Sequence, residues 1–263
     1  SLAGAQGWDR DYESRAQEVA AGLIRITGFM DWTANNPAGW PEIGSSGLPG
    51  YKAARPVQGV EWAREGGPAR LKTLILANLK LQRVADFSRL TSLNRLEVYG
   101  NQLRGLNLDG NQALIELAAM NNHLASLNLG ACPELRRLSV SNNQLKELDF
   151  SANPRLTGLF ISGNQLTDLR LGGLSELAEL EVMNNRLTTI DLSANPLLSR
   201  LLVSYNRLSE LDLSSNQLLT ELGVRDNSLD SIDISFNAAL ADLQAGRNLL
   251  ASLNLNGNPA LVR

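Results

Sequence analysis

Few side chains of this 263-residue chain are of the types that carry out catalysis. The sequence contains one histidine, His123, and one cysteine, Cys132. His123 directly follows Asn122, at a position that comparable segments fill with glutamine, arginine or serine, so we expect an exposed turn residue without a catalytic role. A single cysteine excludes an internal disulfide and a site with several cysteine ligands. These residues predict no enzyme, no cofactor and no metal centre.

Four aspartates recur at multiples of 21 residues and form the one acidic arrangement that could bind an ion: Asp149, Asp191, Asp212 and Asp233. If successive segments stack about 4.8 Å apart, these carboxylates repel one another unless they are paired or hold a cation such as Ca²⁺. A serine follows each of them two residues later and offers a local hydrogen bond. We favour this solvated Asp/Ser face, and leave ion binding by the column open.

The 21-residue interval dominates the chain, and a run of asparagines follows it without exception: Asn101, Asn122, Asn143, Asn164, Asn185, Asn206, Asn227 and Asn248. Leucine stands five residues before and two residues after each of them. An earlier unit that begins at Leu71 is irregular, with Leu79 in place of the asparagine. We count about nine units, because terminal repeats are usually atypical.

Each regular unit reads Leu-x-x-Leu-x-Val/Ile/Ala-x-x-Asn-x-Leu and is similar to a leucine-rich repeat, whose pattern is Leu-x-x-Leu-x-Leu-x-x-Asn-x-Leu. Its second half repeats the phrase, as in IDLSAN and LDLSSN, with Asn in six of eight units and Cys132 in one of the others. This doubling resembles the 21-residue bacterial leucine-rich repeats over residues 71–263. The resemblance implies an α/β-type solenoid, a horseshoe with a parallel sheet on its concave face. For function it implies little, because such solenoids serve many binding tasks.

The first half of each unit keeps its asparagine without exception, so we assign that half to the concave strand. The second half is assigned to an extended or short-strand convex segment, which predicts strand on both sides and little helix. Both asparagine columns, represented by Asn101 and Asn111, are interpreted as framework. Their amides can bond backbone groups of adjacent turns that would cost about 1–3 kcal/mol each if left unpaired.

Residues 1–69 differ from the repeats and contain all four tryptophans. Apolar spacing predicts a helix over about 9–26, followed by a Gly/Pro-rich loop over 33–50. We interpret the segment as a cap that covers the open edge of the first repeat, and residues 70–263 as the repeat domain. An aromatic ligand loop is the alternative. At the other end no capping sequence precedes Arg263, so we expect further chain or another molecule to cover the last repeat.

Partners are bounded by charge and hydropathy. The net charge is −3 with scattered arginines, which disfavours nucleic acid, and no apolar run approaches the roughly 18 residues that span a bilayer. The sequence begins with Ser1, so the compartment stays open, with secretion or the cell envelope favoured over the cytoplasm. A protein is the partner class that remains.

Positions between the inward leucines vary in residue type and should point out of the concave sheet. Five apolar residues there form the predicted anchors of an interface, rimmed by four charged residues: Tyr99, Met120, Phe160, Met183 and Leu202, with Glu97, Glu181, Arg200 and Arg225. Such a group has the composition of an interface centre, whereas scattered apolar residues on a surface are normal. Another column alternates in charge, and neighbouring turns can pair it.

The sequence therefore predicts a non-catalytic module that binds a protein partner on the concave face of a solenoid. Two alternatives belong to other classes. One is the substrate-recruiting part of a longer secreted bacterial effector enzyme. Secreted ubiquitin ligases with leucine-rich repeats have this plan, although the LPxLP repeats that they typically carry are absent here. The other is a structural protein of the cell envelope or of adhesion.

Overall fold

The computed structural model of the protein describes residues 60–63, 70–88 and 90–262. These residues form twelve strands: β1 Val60–Ala63, β2 Arg70–Ile75, β3 Gln82–Asp86, β4 Arg95–Glu97, β5 Gln102–Asn107, β6 Glu116–Ala118, β7 Arg137–Ser139, β8 Gly158–Phe160, β9 Glu179–Glu181, β10 Arg200–Leu202, β11 Glu221–Gly223 and β12 Asp242–Gln244. Within this part of the chain, no helix has the length and apolar character needed to cross a membrane. The predicted helix over 9–26 and the loop over 33–50 lie outside the described residues.

Ten of the strands form one sheet in the order β1-β2-β4-β6-β7-β8-β9-β10-β11-β12. From β2 onward every pair is parallel, and each residue from β4 to β12 pairs with the residue 21 positions later. Leu96, for example, lies opposite Leu117, which lies opposite Leu138. One interval of 21 residues therefore corresponds to one step between neighbouring strands of the sheet. The predicted parallel solenoid is confirmed.

Strand β1 pairs antiparallel with β2, with Val60 opposite Leu74 and Ala63 opposite Arg70. The register shifts by a bulge between Glu61 and Trp62. β1 lies in the segment assigned to the cap, and its backbone covers an edge of β2 that would otherwise expose unpaired amide and carbonyl groups.

The core is a stack of identical layers behind the sheet. In one turn Leu96, Val98 and Leu103 are fully buried, and their equivalents are buried in the same way in every following turn as far as β11. Alternation along each strand sends these side chains to one face and their neighbours to the other. Each buried side chain of this size contributes about 1.5–3 kcal/mol by the apolar area it removes from water.

The convex side differs from the prediction of strand on both sides. Only β3 and β5 pair there, in parallel, and later turns contain no convex strand within residues 108–262. Local hydrogen bonds hold the turn that follows this segment: Asn153 N donates to Phe150 O at 2.8 Å and Leu156 N donates to Asn153 O at 3.2 Å. Ser151 N is held by Asp149 Oδ1 at 2.9 Å. The turn after β5 contains the same bonds, so they do not explain why strands form only at β3 and β5.

The predicted asparagine ladder binds adjacent turns together. The Asn143 amide donates to Ala119 O and Val140 O, both at 3.0 Å, and its Oδ1 accepts the Leu124 N–H at 2.9 Å. Asn164 repeats this set one turn later, with Leu145 N as its donor. Each amide satisfies backbone groups of its own turn and of the turn before, as a framework role requires.

The second asparagine column is more deeply buried than the first. Asn153 is fully buried and donates to Leu129 O at 3.1 Å and Cys132 O at 2.8 Å, both in the preceding turn. The same pattern recurs at Asn195, Asn216 and Asn237. These residues are also framework, and Cys132 occupies an equivalent buried position.

Burial falls off at β12, the last strand in the sheet order. Leu243, Ala245 and Leu250 are only partly buried, whereas Leu222 and Val224 in the turn before are fully buried. The apolar side chains of this turn lack a following layer in the described chain. The expectation that something covers this end stays a prediction.

Removing one ladder amide should destabilise the solenoid strongly. We expect Asn143→Ala to lower the free energy of unfolding by about 2–5 kcal/mol, because it leaves buried backbone donors and acceptors of two turns unpaired. Gln144→Ala, a change at the next residue, which is exposed, should alter it by less than about 0.5 kcal/mol. Urea denaturation followed by circular dichroism measures both, and equal effects would contradict the assigned role.

Candidate functional site

The concave face is the side of the ten-stranded sheet that carries Glu97, Tyr99 and their equivalents, opposite the buried Leu96 and Val98. Four of the five predicted anchors are half-buried on this face and do not belong to the hydrophobic core: Tyr99, Met120, Phe160 and Met183. Their outward orientation agrees with the prediction. They are supported on their flanks by neighbouring turns and so offer one fixed surface rather than mobile side chains.

Leu202 was expected to be exposed, and this is wrong. The residue is only 8% exposed, although it also lies outside the core. A Cβ at Gly223 in the next turn would lie 2.9 Å from Leu202 Cδ2, so the leucine lies flat across the space that the glycine leaves. Leu202 therefore forms the floor of the face and offers little contact area to a partner.

The four predicted rim residues are already engaged with other charged side chains. Glu97, only 8% exposed, pairs with Arg95, so its assignment as an accessible rim charge is wrong. Arg200 bridges Glu181 and Glu221, with its Nε 2.7 Å from Glu221 Oε2.

Arg225 pairs with Asp226 at 2.8 Å. Pairing of this kind limits the long-range attraction of the face and fixes its long side chains.

The position of Phe160 depends on Gly158, which stands in the column of residues that otherwise alternate in charge. Arg137 Nη1 reaches past Gly158 to Glu179 Oε1, two turns away, at 3.3 Å. Its guanidinium lies 4.7 Å from the centroid of the Phe160 ring, within cation–π distance. A Cβ at Gly158 would come within 3.0 Å of the ring and 3.3 Å of Arg137, so glycine is needed for this arrangement. The Phe160 ring is therefore held in place, and the Arg137 guanidinium covers one of its sides.

A column that sequence reasoning missed lies where each strand ends. The residue before each ladder position has a positive φ of 53–68°: Asn78, Gly100, Asn121, Asn142, Gly163, Asn184, Tyr205, Asp226 and Arg247. Seven of these nine are glycine, asparagine or aspartate, the residues that tolerate the left-handed conformation. That composition was the available signal. At Gly163 the requirement is doubled, because a Cβ would also overlap Asn142 Oδ1.

Tyr205 is an exception in this column. Its φ is 58°, and its side chain is 43% exposed beside the concave face. A residue with a bulky side chain pays roughly 1–2 kcal/mol for this conformation, which asparagine or glycine would largely avoid. Strain of this kind is retained at functional sites more often than elsewhere. Tyr205 joins the candidate site on this ground.

The aspartate column is engaged locally, as favoured from the sequence. Asp191 Oδ1 accepts hydrogen bonds from Ser193 Oγ at 2.7 Å and Ser193 N at 3.0 Å, and these bonds lower its pKa. At Asp212 the bonds from Ser214 lower the pKa against repulsion from Asp191. Within the described ranges, no three acidic, histidine or cysteine side chains are grouped to share an ion.

The single histidine and the single cysteine are not placed for catalysis. His123 is exposed, as expected, and its backbone N–H donates to Leu103 O at 2.8 Å. Cys132 is fully buried, and burial, with a smaller contribution from the charge of Asp109, raises the pKa of its thiol to about 11. A thiol in this state is neither a nucleophile nor a ligand at neutral pH.

No family model matches the sequence, and no curated protein matches it. Among solved structures it is similar to internalin C2 of Listeria monocytogenes, at 23% identity over 73% of this chain and 78% of that chain, with a TM-score of 0.56. A leucine-rich-repeat protein of Leptospira interrogans matches at 22% identity over 66% and 54%, with a TM-score of 0.53. The leucine-rich-repeat domain of APL1B matches at 25% identity over 67% and 56%, with a TM-score of 0.57. The chain spans little more than half the length of the last two.

Replacing Tyr205 by asparagine should stabilise the protein. We expect the free energy of unfolding to rise by about 1 kcal/mol for Tyr205→Asn, because asparagine tolerates a positive φ. Tyr99→Asn, in a position without positive φ, should give no gain. Chemical denaturation of both variants tests the strain, and an unchanged or lowered stability of Tyr205→Asn would argue against it.

Modification of Cys132 should report unfolding. At pH 8 the native thiol stays protonated and buried, so we expect reaction with a disulfide reagent to be at least about a hundredfold slower than in urea-unfolded protein. The rate should rise with urea together with the loss of circular dichroism. Rapid labelling of the native protein would show instead that the second asparagine column opens readily.

Proposed function

We propose that this chain, a leucine-rich-repeat protein, is a non-catalytic binding module that recognises a protein partner on its concave face. The observation that carries the proposal is a group of half-buried apolar side chains on that face, Tyr99, Met120, Phe160 and Met183, framed by charges that are already paired. Aromatic and methionine side chains are enriched at the centres of protein interfaces.

The fold itself does not choose the class of ligand. Similar solved structures include a plant peptide hormone receptor in complex with RGF2 and a TLR13–ssRNA13 complex, at 22% and 23% identity. At that identity they share the fold with this chain and nothing further. The choice of a protein partner therefore depends on the surface of this chain, where apolar and paired charged side chains alternate.

Rigidity supports the proposal. Each concave strand is paired on both sides from β2 to β11, and ladder asparagines fix the backbone at the strand ends. Side chains mounted on such a sheet lose little conformational entropy when they bind. Phe160 is further held by Arg137, so its exposed side is presented in one orientation.

The ion pairs contribute selectivity more than affinity. Arg200 lies between Glu181 and Glu221, and burial, which lowers its pKa, is outweighed by the hydrogen bonds that it donates to these carboxylates, so that its pKa is raised. A partner that separates this arginine from its two carboxylates without supplying other acceptors would leave charge unpaired, which costs affinity. The face therefore excludes partners whose charges do not fit, while the apolar group supplies contact area.

Paired truncations on the two sides of the solenoid test the proposal. We expect Phe160→Ala to weaken binding of a captured partner by at least about tenfold, because an aromatic residue at an interface centre is a typical hot spot. Phe236→Ala is the matched control: Phe236 is 48% exposed in a convex turn and should leave the dissociation constant within about twofold.

Surface plasmon resonance with the purified partner gives both dissociation constants, and thermal denaturation confirms that both variants are folded. Partner binding that survives Phe160→Ala and is lost with Phe236→Ala would move the interface to the convex side. Binding that survives both changes would overturn the assignment of Phe160 as an anchor.

A further inference from the structure

The exit turns of the repeats around Tyr205 carry a cluster of arginines. Arg186 and Arg207 directly follow the ladder residues Asn185 and Asn206, and both are exposed. Neither forms an ion pair with any described residue. Because Asn206 turns its side chain towards the backbone of the preceding turn, its neighbours Tyr205 and Arg207 both lie on the outer side of the exit turn.

Two more arginines in the following turns share one carboxylate. Arg225 Nε lies 2.8 Å from Asp226 Oδ2, and Arg247 Nη1 lies 3.5 Å from Asp226 Oδ1. The Arg247 side chain is 70% exposed. One aspartate cannot satisfy the donors of two guanidinium groups, so this pair keeps donors free for an incoming acceptor.

These residues form one surface because the turns are stacked. Tyr205 N donates to Arg225 O at 2.8 Å, which joins one turn to the next, and successive turns are about 4.8 Å apart. We call this surface the Tyr205 patch: Tyr205, Arg186, Arg207, Arg225 and Arg247. It borders the concave face through Arg225, and it is locally basic in a chain whose net charge is −3.

We propose that the Tyr205 patch binds an acidic segment of the protein partner, with partner carboxylates on Arg186, Arg207 and Arg247 and an apolar partner side chain against the Tyr205 ring. The proposal rests on the proposed function and deepens it by naming the chemistry of the bound segment. A guanidinium presents parallel donors that match a carboxylate in a two-point contact.

Tyrosine in a left-handed position is the second line of support. The other exception in that column, Arg247, belongs to the same patch, so both strained side chains of the column lie together. Asparagine or glycine would be more stable in such a position, so a strained side chain is retained where it has a functional role. An exposed tyrosine combines a rigid apolar ring with a hydroxyl, a frequent combination in interface residues.

The distribution of charge favours separate carboxylates over a nucleic-acid backbone. Asp226 lies within the patch, and Glu210 and Asp230 stand three to four residues beyond the ladder asparagines of the same turns. These acidic groups would repel a polyanion with a charge on every nucleotide. A peptide with acidic residues spaced along it can place its carboxylates on the arginines and avoid the aspartates.

The test uses a fluorescein-labelled peptide of about twelve residues with the repeating sequence Glu-Gly-Leu, and its Gln-Gly-Leu counterpart. We expect the full chain to bind the acidic peptide at least about tenfold more tightly than the glutamine peptide in fluorescence anisotropy. Arg186→Gln combined with Arg207→Gln should weaken acidic-peptide binding about tenfold. Arg104→Gln combined with Lys146→Gln, an equal loss of charge three residues beyond the ladder asparagines of earlier repeats, should change it by less than about twofold.

Tyr205→Asn separates binding from folding. This variant should bind the acidic peptide about three- to tenfold more weakly while its melting temperature rises, an outcome that misfolding cannot produce. A labelled oligothymidylate of similar length is the nucleic-acid probe, and tighter binding of it than of the acidic peptide would overturn the proposal. Equal affinity for the two peptides, no binding of either, or full binding by the arginine double variant would do the same.

The two proposals fail separately. A partner that is lost with Phe160→Ala and unaffected by the Arg186/Arg207 double variant leaves the concave interface in place and removes the Tyr205 patch from it. A partner that is unaffected by Phe160→Ala and lost with the double variant removes the concave anchor and keeps the patch.

Discussion

The side-chain amide of the ladder asparagine is the interaction on which the solenoid depends. Asn143, for example, donates to Ala119 O and Val140 O and accepts from Leu124 N. One side chain thereby satisfies backbone groups of two turns. The exit of each strand would otherwise leave buried donors and acceptors unpaired. Because the amide fixes where the strand ends, it also fixes the left-handed residue before it and the outward residues of the strand. The geometry of the proposed binding surface is therefore a consequence of the ladder.

The fold could be read from the sequence because its determinants are periodic. Leucine and asparagine columns at a 21-residue interval specify which residues face inward, and the parallel register of β4 to β12 follows that interval. Short strands on the convex side form only at β3 and β5, although the alternation of apolar residues continues in the later turns. Alternation alone therefore does not decide whether a strand forms there.

The candidate site could be read only in part. Outward orientation at Tyr99, Met120, Phe160 and Met183 followed from alternation along the strand. Exposure did not, because it depends on glycines in neighbouring positions: Gly223 lets Leu202 lie flat and become buried. Tyr205 was missed since its importance lies in a backbone angle, which the sequence indicates only through the company of glycines and asparagines in its column.

The constant rise from turn to turn sets a ruler for anything laid across the sheet. Two turns span about 9.6 Å, and a polyproline II chain presents the same side every three residues, about 9.3 Å. The two lengths nearly agree, whereas a β-strand presents the same side every two residues, about 6.8 Å, which matches neither one turn nor two. Equivalent columns on alternate turns, such as those of Phe160 and Leu202, would therefore meet every third residue of a chain crossing in that conformation. The spacing of the turns thus favours polyproline II for a linear segment that crosses the sheet, because its side chains then stay in register with the turns.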